Sequence, residues 1–174
     1  AAGYAADAMD VYGEGKLTTD AAQANMWMEQ VLEDQDMLMA RCRLILNDFS
    51  DQLAVDGDNL AAIGYCFGGK VVLDMARDGM PLKAVATFHG NPSAKQPADK
   101  NFKAKVLVAH GRDDSMVSME AIEGLKSELD AADVDYTIDV YDNAKHGFTN
   151  PHADERAAKQ SWENMLEFMK ANLA

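Results

Sequence analysis

Short apolar runs alternate with stretches of helical period along most of this chain. That alternation limits the fold to a parallel sheet whose strands are joined by helices. The runs cover residues 4–9, 60–64, 84–88, 106–109 and 136–141. Between about Asp20 and Phe49 the apolar residues Met28, Val31, Leu32, Met39, Cys42, Ile45, Leu46 and Phe49 recur at steps of three and four. This spacing predicts one long helix or two shorter ones, with Asp20 and Gln23 as an N-cap pair. Further helices are expected over 70–77, with Gly79 closing its end, over 118–132, and over 153–171. The last of these would bury Ala158, Trp162, Met165, Phe168 and Met169 on one face. A βαβ order of this kind implies right-handed crossovers and helices on both faces of the sheet.

Composition narrows the class further. The 174 residues fit a single domain over 1–174. Hydrophobic residues make up 48% and charged ones 26%, a globular mixture. No apolar run approaches the ~18–20 residues of a membrane helix. The net charge of −13 lacks the basic footprint of a nucleic-acid or anionic-membrane binder. Neither a nucleic acid nor a membrane is therefore an expected partner, and a monomer or homodimer is expected. Two cysteines, Cys42 and Cys66, exclude a disulfide scaffold and a four-cysteine zinc site. A Cys42–Cys66 disulfide would disable a reactive thiol, so a reducing, cytoplasmic setting is expected. The opening residues carry no secretory pattern and no initiator Met, so the start of the protein is expected upstream.

In such sheets, reactive groups sit in the loops after strand carboxyl ends. Three residues satisfy this rule. Cys66 lies in Gly64-Tyr65-Cys66-Phe67-Gly68-Gly69, between a strand and a helix, matching the G-x-S-x-G nucleophile elbow with Cys for Ser. The turn is sharp, and a Cβ at position 64 or 68 is expected to collide. The helix N-terminus would favour thiolate, and the Phe67 backbone N–H would serve a developing oxyanion. Asp114 follows the strand 106–109 in His110-Gly111-Arg112-Asp113-Asp114-Ser115. Its spacing from Gly111 and to Val117 favours it over Asp113 as the acid that orients an imidazole. His146 follows the strand 136–141 and comes after the acid in chain order, which marks it as the general base. His89 and His110 end strands and read as structural, and His152 reads as a surface or capping residue. Tyr12 and Tyr65 are candidates for lining the site. Trp27 and Trp162 read as packing residues.

These segments together resemble the dienelactone hydrolases of the α/β-hydrolase superfamily. The elbow carries most of the resemblance. Gly3-Tyr4 through Asp10-Val11-Tyr12-Gly13, the segment from His110 to Val117, and Lys145-His146-Gly147-Phe148 add to it. The resemblance implies an α/β-hydrolase fold, a three-layer sandwich with a mostly parallel sheet. It implies a Cys66–His146–Asp114 hydrolase of lactones or activated esters that works through an acyl-enzyme, without metal or organic cofactor. Phe148 would contribute to substrate binding. Relatives that open dienelactones place an arginine shortly after the histidine to hold the substrate carboxylate. Here Phe148-Thr149-Asn150-Pro151 follows, which with the acidic net charge argues against an anionic dienelactone.

By the superfamily's order, residues 4–9 would form the fourth strand, and the first three would lie upstream. The third normally fills the sheet between the fourth strand and the one leading to Cys66, and its loop supplies a second oxyanion donor and an activating glutamate. The 174 residues are thus expected to be the C-terminal part of a longer protein. Two other readings stand beside the hydrolase. One is a redox-active elbow-cysteine protein of the class I glutaminase-like kind, which usually puts its histidine soon after the cysteine; none lies between Cys66 and His89. The other is an inactive, ligand-binding homologue.

Overall fold

The computed structural model describes residues 3–173. It divides into two compact units, Ala1–Asp58 and Asn59–Ala174. Among the described residues no helix is long and apolar enough to cross a membrane.

In the first unit the predicted helical stretch is two helices, α1 (Ala21–Glu33) and α2 (Gln35–Ser50). Asp20 caps the first, accepting from the Gln23 N–H at 2.9 Å. Asp34 breaks the stretch because its carboxylate accepts from the Met37 N–H at 3.0 Å, which starts a new helix. Cys42 is fully buried on α2. Residues 4–9 do not form the expected strand. Alanine fits a pleated surface poorly, and the Asp7 carboxylate accepts from the neighbouring Ala8 N–H at 2.9 Å, a local bond that competes with a ladder. The following loop is shaped by Asp10, whose two oxygens accept from Gly13 and Gly15, each at 2.8 Å.

The second unit holds the sheet. Four parallel strands, β1 (Ala61–Tyr65), β2 (Ala84–Phe88), β3 (Lys105–Gly111) and β4 (Tyr136–Tyr141), pair in chain order. Helices α3 (Phe67–Arg77), α4 (Met119–Ala131) and α5 (Glu155–Asn172) follow β1, β3 and β4. The two central strands are buried on both sides, which is why they read as unbroken apolar runs. One face of β2, with Ala84, Ala86 and Phe88, packs with Leu107 and Ala109 against Met165 and Met169 of α5. The other meets α3, where Thr87 and Gly90 abut Gly69. Helices thus cover both faces of the sheet. Asp74 of α3, 2% exposed, accepts from Lys70 and Arg77, both at 2.9 Å. Arg77 continues to Glu128 of α4 at 2.8 Å and to the Pro92 carbonyl at 2.8 Å, which fixes the long loop after β2.

The register keeps the carboxyl ends level. Tyr65 lies opposite Phe88, Phe88 opposite Ala109, and Gly111 opposite Tyr141. The loops after all four strands therefore open on one edge of the sheet.

Candidate active site

Cys66 sits where two elements claim adjacent residues. Its N–H extends the ladder to the Phe88 carbonyl at 3.1 Å, and its carbonyl accepts from Lys70 at 3.3 Å as α3 begins. The chain reversal falls on Cys66 itself, at φ 50° and ψ −117°. Such a conformation costs about 1–3 kcal/mol and persists only where the surroundings impose it. Gly64 is required because the strand and helix backbones nearly touch there. The expectation for Gly68 is corrected: a Cβ at Gly68 meets nothing, whereas one at Gly69 would lie 2.5 Å from Thr87 Oγ1 and 2.9 Å from the Gly90 Cα. The close approach of α3 is to the loop after β2, one residue further along.

Asp114 and His146 meet across the β3 and β4 loops, with Nδ1 of His146 2.9 Å from Oδ2 of Asp114. The other carboxylate oxygen accepts from Met116 and Val117 at 2.8 and 3.0 Å. Burial works against the Asp114 charge. The N–H groups of Val117 and Met116 and the His146 imidazole outweigh it and hold the carboxyl below its ordinary range. Asp113, the competing acid, points its residue to solvent on the exposed side of the loop.

The sulfur of Cys66 has a neighbour that the sequence reading set aside. Its Sγ lies 3.2 Å from Nδ1 of His89, the residue directly after β2. Nε2 of His89 lies 2.8 Å from the Thr149 hydroxyl. The His89 and His146 rings are 5.1 Å apart, edge to face. Sγ and one nitrogen from each ring lie within 4.8 Å of one another. The rule that selected the other three positions, a reactive residue just past a strand end, also selects His89.

Burial pushes the Cys66 thiol up, and the Asp114 carboxylate adds to the shift. The helix N-terminus is expected to favour thiolate; burial and the Asp114 carboxylate act the other way, toward the neutral thiol. Burial lowers His89 to about 4, with the His146 ring acting in the same sense. His110, also buried, is shifted down by burial. His89 is 2% exposed, so its protonation is a folding matter. As pH falls, the unfolded chain takes a proton near 6.5 while the folded chain resists until about 4. Stability present above pH 6.5 is lost over that window, by up to about 3 kcal/mol. Unfolding free energies from urea titrations at pH 7 and pH 4.5 are expected to differ by roughly 2 kcal/mol less in His89→Gln than in wild type. An unchanged difference would assign the slope to other groups.

A cleft of about 410 Å³ opens beside the sulfur, lined by Tyr65, Cys66, His89, Thr149, Ser161 and Trp162 among others. Tyr65 stacks on Phe88 at 4.6 Å and is 41% exposed. Trp162, read as packing, is 49% exposed on the cleft wall. The buried stripe of α5 is Ala157, Ser161, Met165 and Met169, stepped by four, which turns Trp162 outward. Phe148, expected to touch substrate, is instead buried against Tyr141 and edge-on beneath His89 at 5.3 Å. Its backbone turn points it into the core, where it supports the imidazole. Tyr12 belongs to the first unit, where it lies beside Trp27 with ring centroids 6.0 Å apart. Phe67 opens α3, so its N–H belongs to the positive end of that helix.

Comparison with known proteins supplies the classification. The sequence model of the dienelactone hydrolase family matches residues 1–173. The chain belongs to the dienelactone hydrolase family. It is similar to an uncharacterized protein of Caenorhabditis elegans, 32% identical over 152 residues, 79% of this chain and 95% of the other. It is also similar to the carboxymethylenebutenolidase of Rhodococcus opacus, 32% identical over 149 residues, 75% of this chain and 58% of that one. Against a putative carboxymethylenebutenolidase of Salmonella typhimurium the aligned share of the relative is 46%, so the chain spans about half the length of such curated relatives. Among solved structures it resembles a dienelactone hydrolase-like promiscuous phosphotriesterase from metagenomic libraries, with TM-score 0.88 and 31% identity over 95% of this chain and 73% of that one. The family fold accounts for the four-stranded parallel sheet with helices on both faces.

Proposed function

We propose that this member of the family hydrolyses lactones or activated carboxylic esters with Cys66 as nucleophile, His146 as general base and Asp114 as the residue that holds the base. One observation carries the reading. Cys66 Sγ and a nitrogen of His146 lie within 4.8 Å of each other, and Nδ1 of that imidazole is held by a buried carboxylate. Asp114 stabilises the imidazolium that forms when His146 takes a proton. His89 has only a neutral hydroxyl behind it and resists protonation until about pH 4, which suits it poorly as a base. The sulfur, resting against His89, crosses to His146 by a side-chain rotation as substrate enters.

In the first half-reaction the thiol proton passes to Nε2 of His146 while Sγ attacks the carbonyl carbon. Negative charge gathers on the carbonyl oxygen, near the Phe67 N–H at the start of α3. Collapse expels the alkoxide, which takes the proton from His146 and leaves a thioester on Cys66. In a lactone the new hydroxyl stays tethered to the acyl chain. His146 then draws a proton from water, which attacks the thioester; the acid is freed and the departing sulfur takes the proton back from His146, restoring the thiol. Tyr65 and Trp162 offer aromatic surface to the substrate's apolar part, and Phe148-Thr149-Asn150-Pro151, just after His146, holds no arginine to fix a carboxylate.

The test is the intermediate. Acid quench of the protein during turnover of an aryl ester is expected to give a mass increase equal to one acyl group, located by peptide mapping on Cys66. Adduct on another residue, or turnover with none, would overturn the assignment. An aryl phosphotriester belongs in the same assay, because the similar metagenomic protein is a promiscuous phosphotriesterase.

A further inference from the structure

We propose that Cys66, His89 and His146 form a reversible inhibitory site for a thiophilic divalent cation, with Zn²⁺ the ion that fits. The inhibitory half of this proposal rests on the hydrolase reading, and the binding half does not. An acid–base–nucleophile relay needs one imidazole beside the sulfur. Here there are two, and the sulfur is in hydrogen-bond contact with the one that the relay leaves idle.

The donor set is one sulfur and two imidazole nitrogens, which Zn²⁺ takes readily in tetrahedral sites with an open fourth position. At ordinary zinc bond lengths the ligand atoms of such a site lie roughly 3.4–3.6 Å apart. Sγ and Nδ1 of His89 are already at 3.2 Å, and all three atoms lie within 4.8 Å. The widest separation therefore closes by little more than 1 Å, within the reach of side-chain rotation.

The outer partners are also in place. Ligating histidines hold their second nitrogen on a carboxylate, carbonyl or hydroxyl, which fixes the tautomer and aims the free lone pair. His146 holds Nδ1 on Asp114 at 2.9 Å, and His89 holds Nε2 on the Thr149 hydroxyl at 2.8 Å. Asp114 is itself fixed by two backbone N–H groups. With both rings donating outward, the lone pairs left are on Nε2 of His146 and on Nδ1 of His89, the atom next to the sulfur. The cleft leaves room for water at the fourth position. On binding, the S–H bond breaks, a Zn–S bond forms, and the thiol proton leaves to solvent, while both histidines bind neutral. The ion then occupies the nucleophile and the base together.

The test is Zn²⁺ binding by competition with a chromophoric chelator, with Co²⁺ as spectroscopic stand-in and aryl ester turnover followed in parallel. One ion per chain is expected with micromolar affinity or tighter, a thiolate-to-cobalt charge-transfer band, and turnover that falls with free zinc and returns on chelation. Cys66→Ala is expected to abolish the band, and Cys66→Ala and His89→Ala each to weaken Zn²⁺ binding at least about 100-fold. Thr149→Val is expected to weaken it about tenfold, in the range of lost outer partners. It also carries the test if His89→Ala does not fold by circular dichroism. Unchanged affinity in Cys66→Ala would place the ion on the acidic surface and overturn the site. Zinc bound with these dependences while turnover stays the same or rises would overturn the inhibitory half. Ester turnover with no sulfur band overturns the site and leaves the hydrolase intact, whereas a sulfur band with no turnover by the metal-free protein does the reverse.

Discussion

His146→Ala is expected to lower kcat/KM for an activated ester by about 10³-fold, a loss of roughly 4 kcal/mol of transition-state stabilisation. Cys66→Ala should lose at least as much. The double variant should be no slower than the worse single one, because the two groups act on the same proton and their effects do not add. The informative comparison is His89→Ala, made in the same assay. His89 is nearer the sulfur, at 3.2 Å, yet it has no carboxylate behind it and stays neutral down to about pH 4. A thiol pushed up by burial would transfer its proton to such a group only far uphill. The loss in His89→Ala should therefore be about tenfold, through misplacement of the thiol. Equal losses in the two histidine variants would mean that the carboxylate pairing does not select the base.

Gly64→Ala is expected to destabilise the fold by more than about 3 kcal/mol, seen as a fall in Tm of about 10 °C. A Cβ there would press into the Gly68 carbonyl and lie 2.6 Å from the Gly69 nitrogen, so the clash is with backbone and no rotamer relieves it. Gly68→Ala is the matched control. It has open space around its Cβ position and lies inside α3, where alanine is favoured over glycine by up to about 1 kcal/mol. A stable Gly64→Ala chain would mean that the elbow opens without loss, and that strain at Cys66 is not imposed by the helix crossing.

What the sequence disclosed followed physical rules that act locally. The strands 84–88 and 136–141 are found at the bounds read from the residues; the first is buried throughout and therefore a short apolar run. The strand-end rule selects Cys66, Asp114 and His146, with the elbow pattern added at Cys66, and the structure brings these three together: Asp114 and His146 share a hydrogen bond, and a His146 nitrogen lies within 4.8 Å of the sulfur. The losses came where a second partner decides. Residues 4–9 have an apolar run, but a strand exists only if another pairs with it, and no local pattern supplies that. Trp162 fits a helical stripe with Met165 and Met169, and so does Ser161; only the packed sheet shows that the stripe turns through Ser161. His89 was set aside because a buried histidine at a strand end is ordinary, and its contact with the sulfur depends on the turn at Cys66 as much as on its own position.

The pairing of strands in chain order has a consequence for how the protein is born. Cys66, His89, Asp114 and His146 follow β1, β2, β3 and β4 one after another. Synthesis delivers them in that sequence, and folding tends to proceed from the N-terminal side as the chain emerges. The thiol is made first and the imidazole that would arm it last. On the proposed reading, a nascent chain therefore holds Cys66 without its base until β4 and the loop after it have docked.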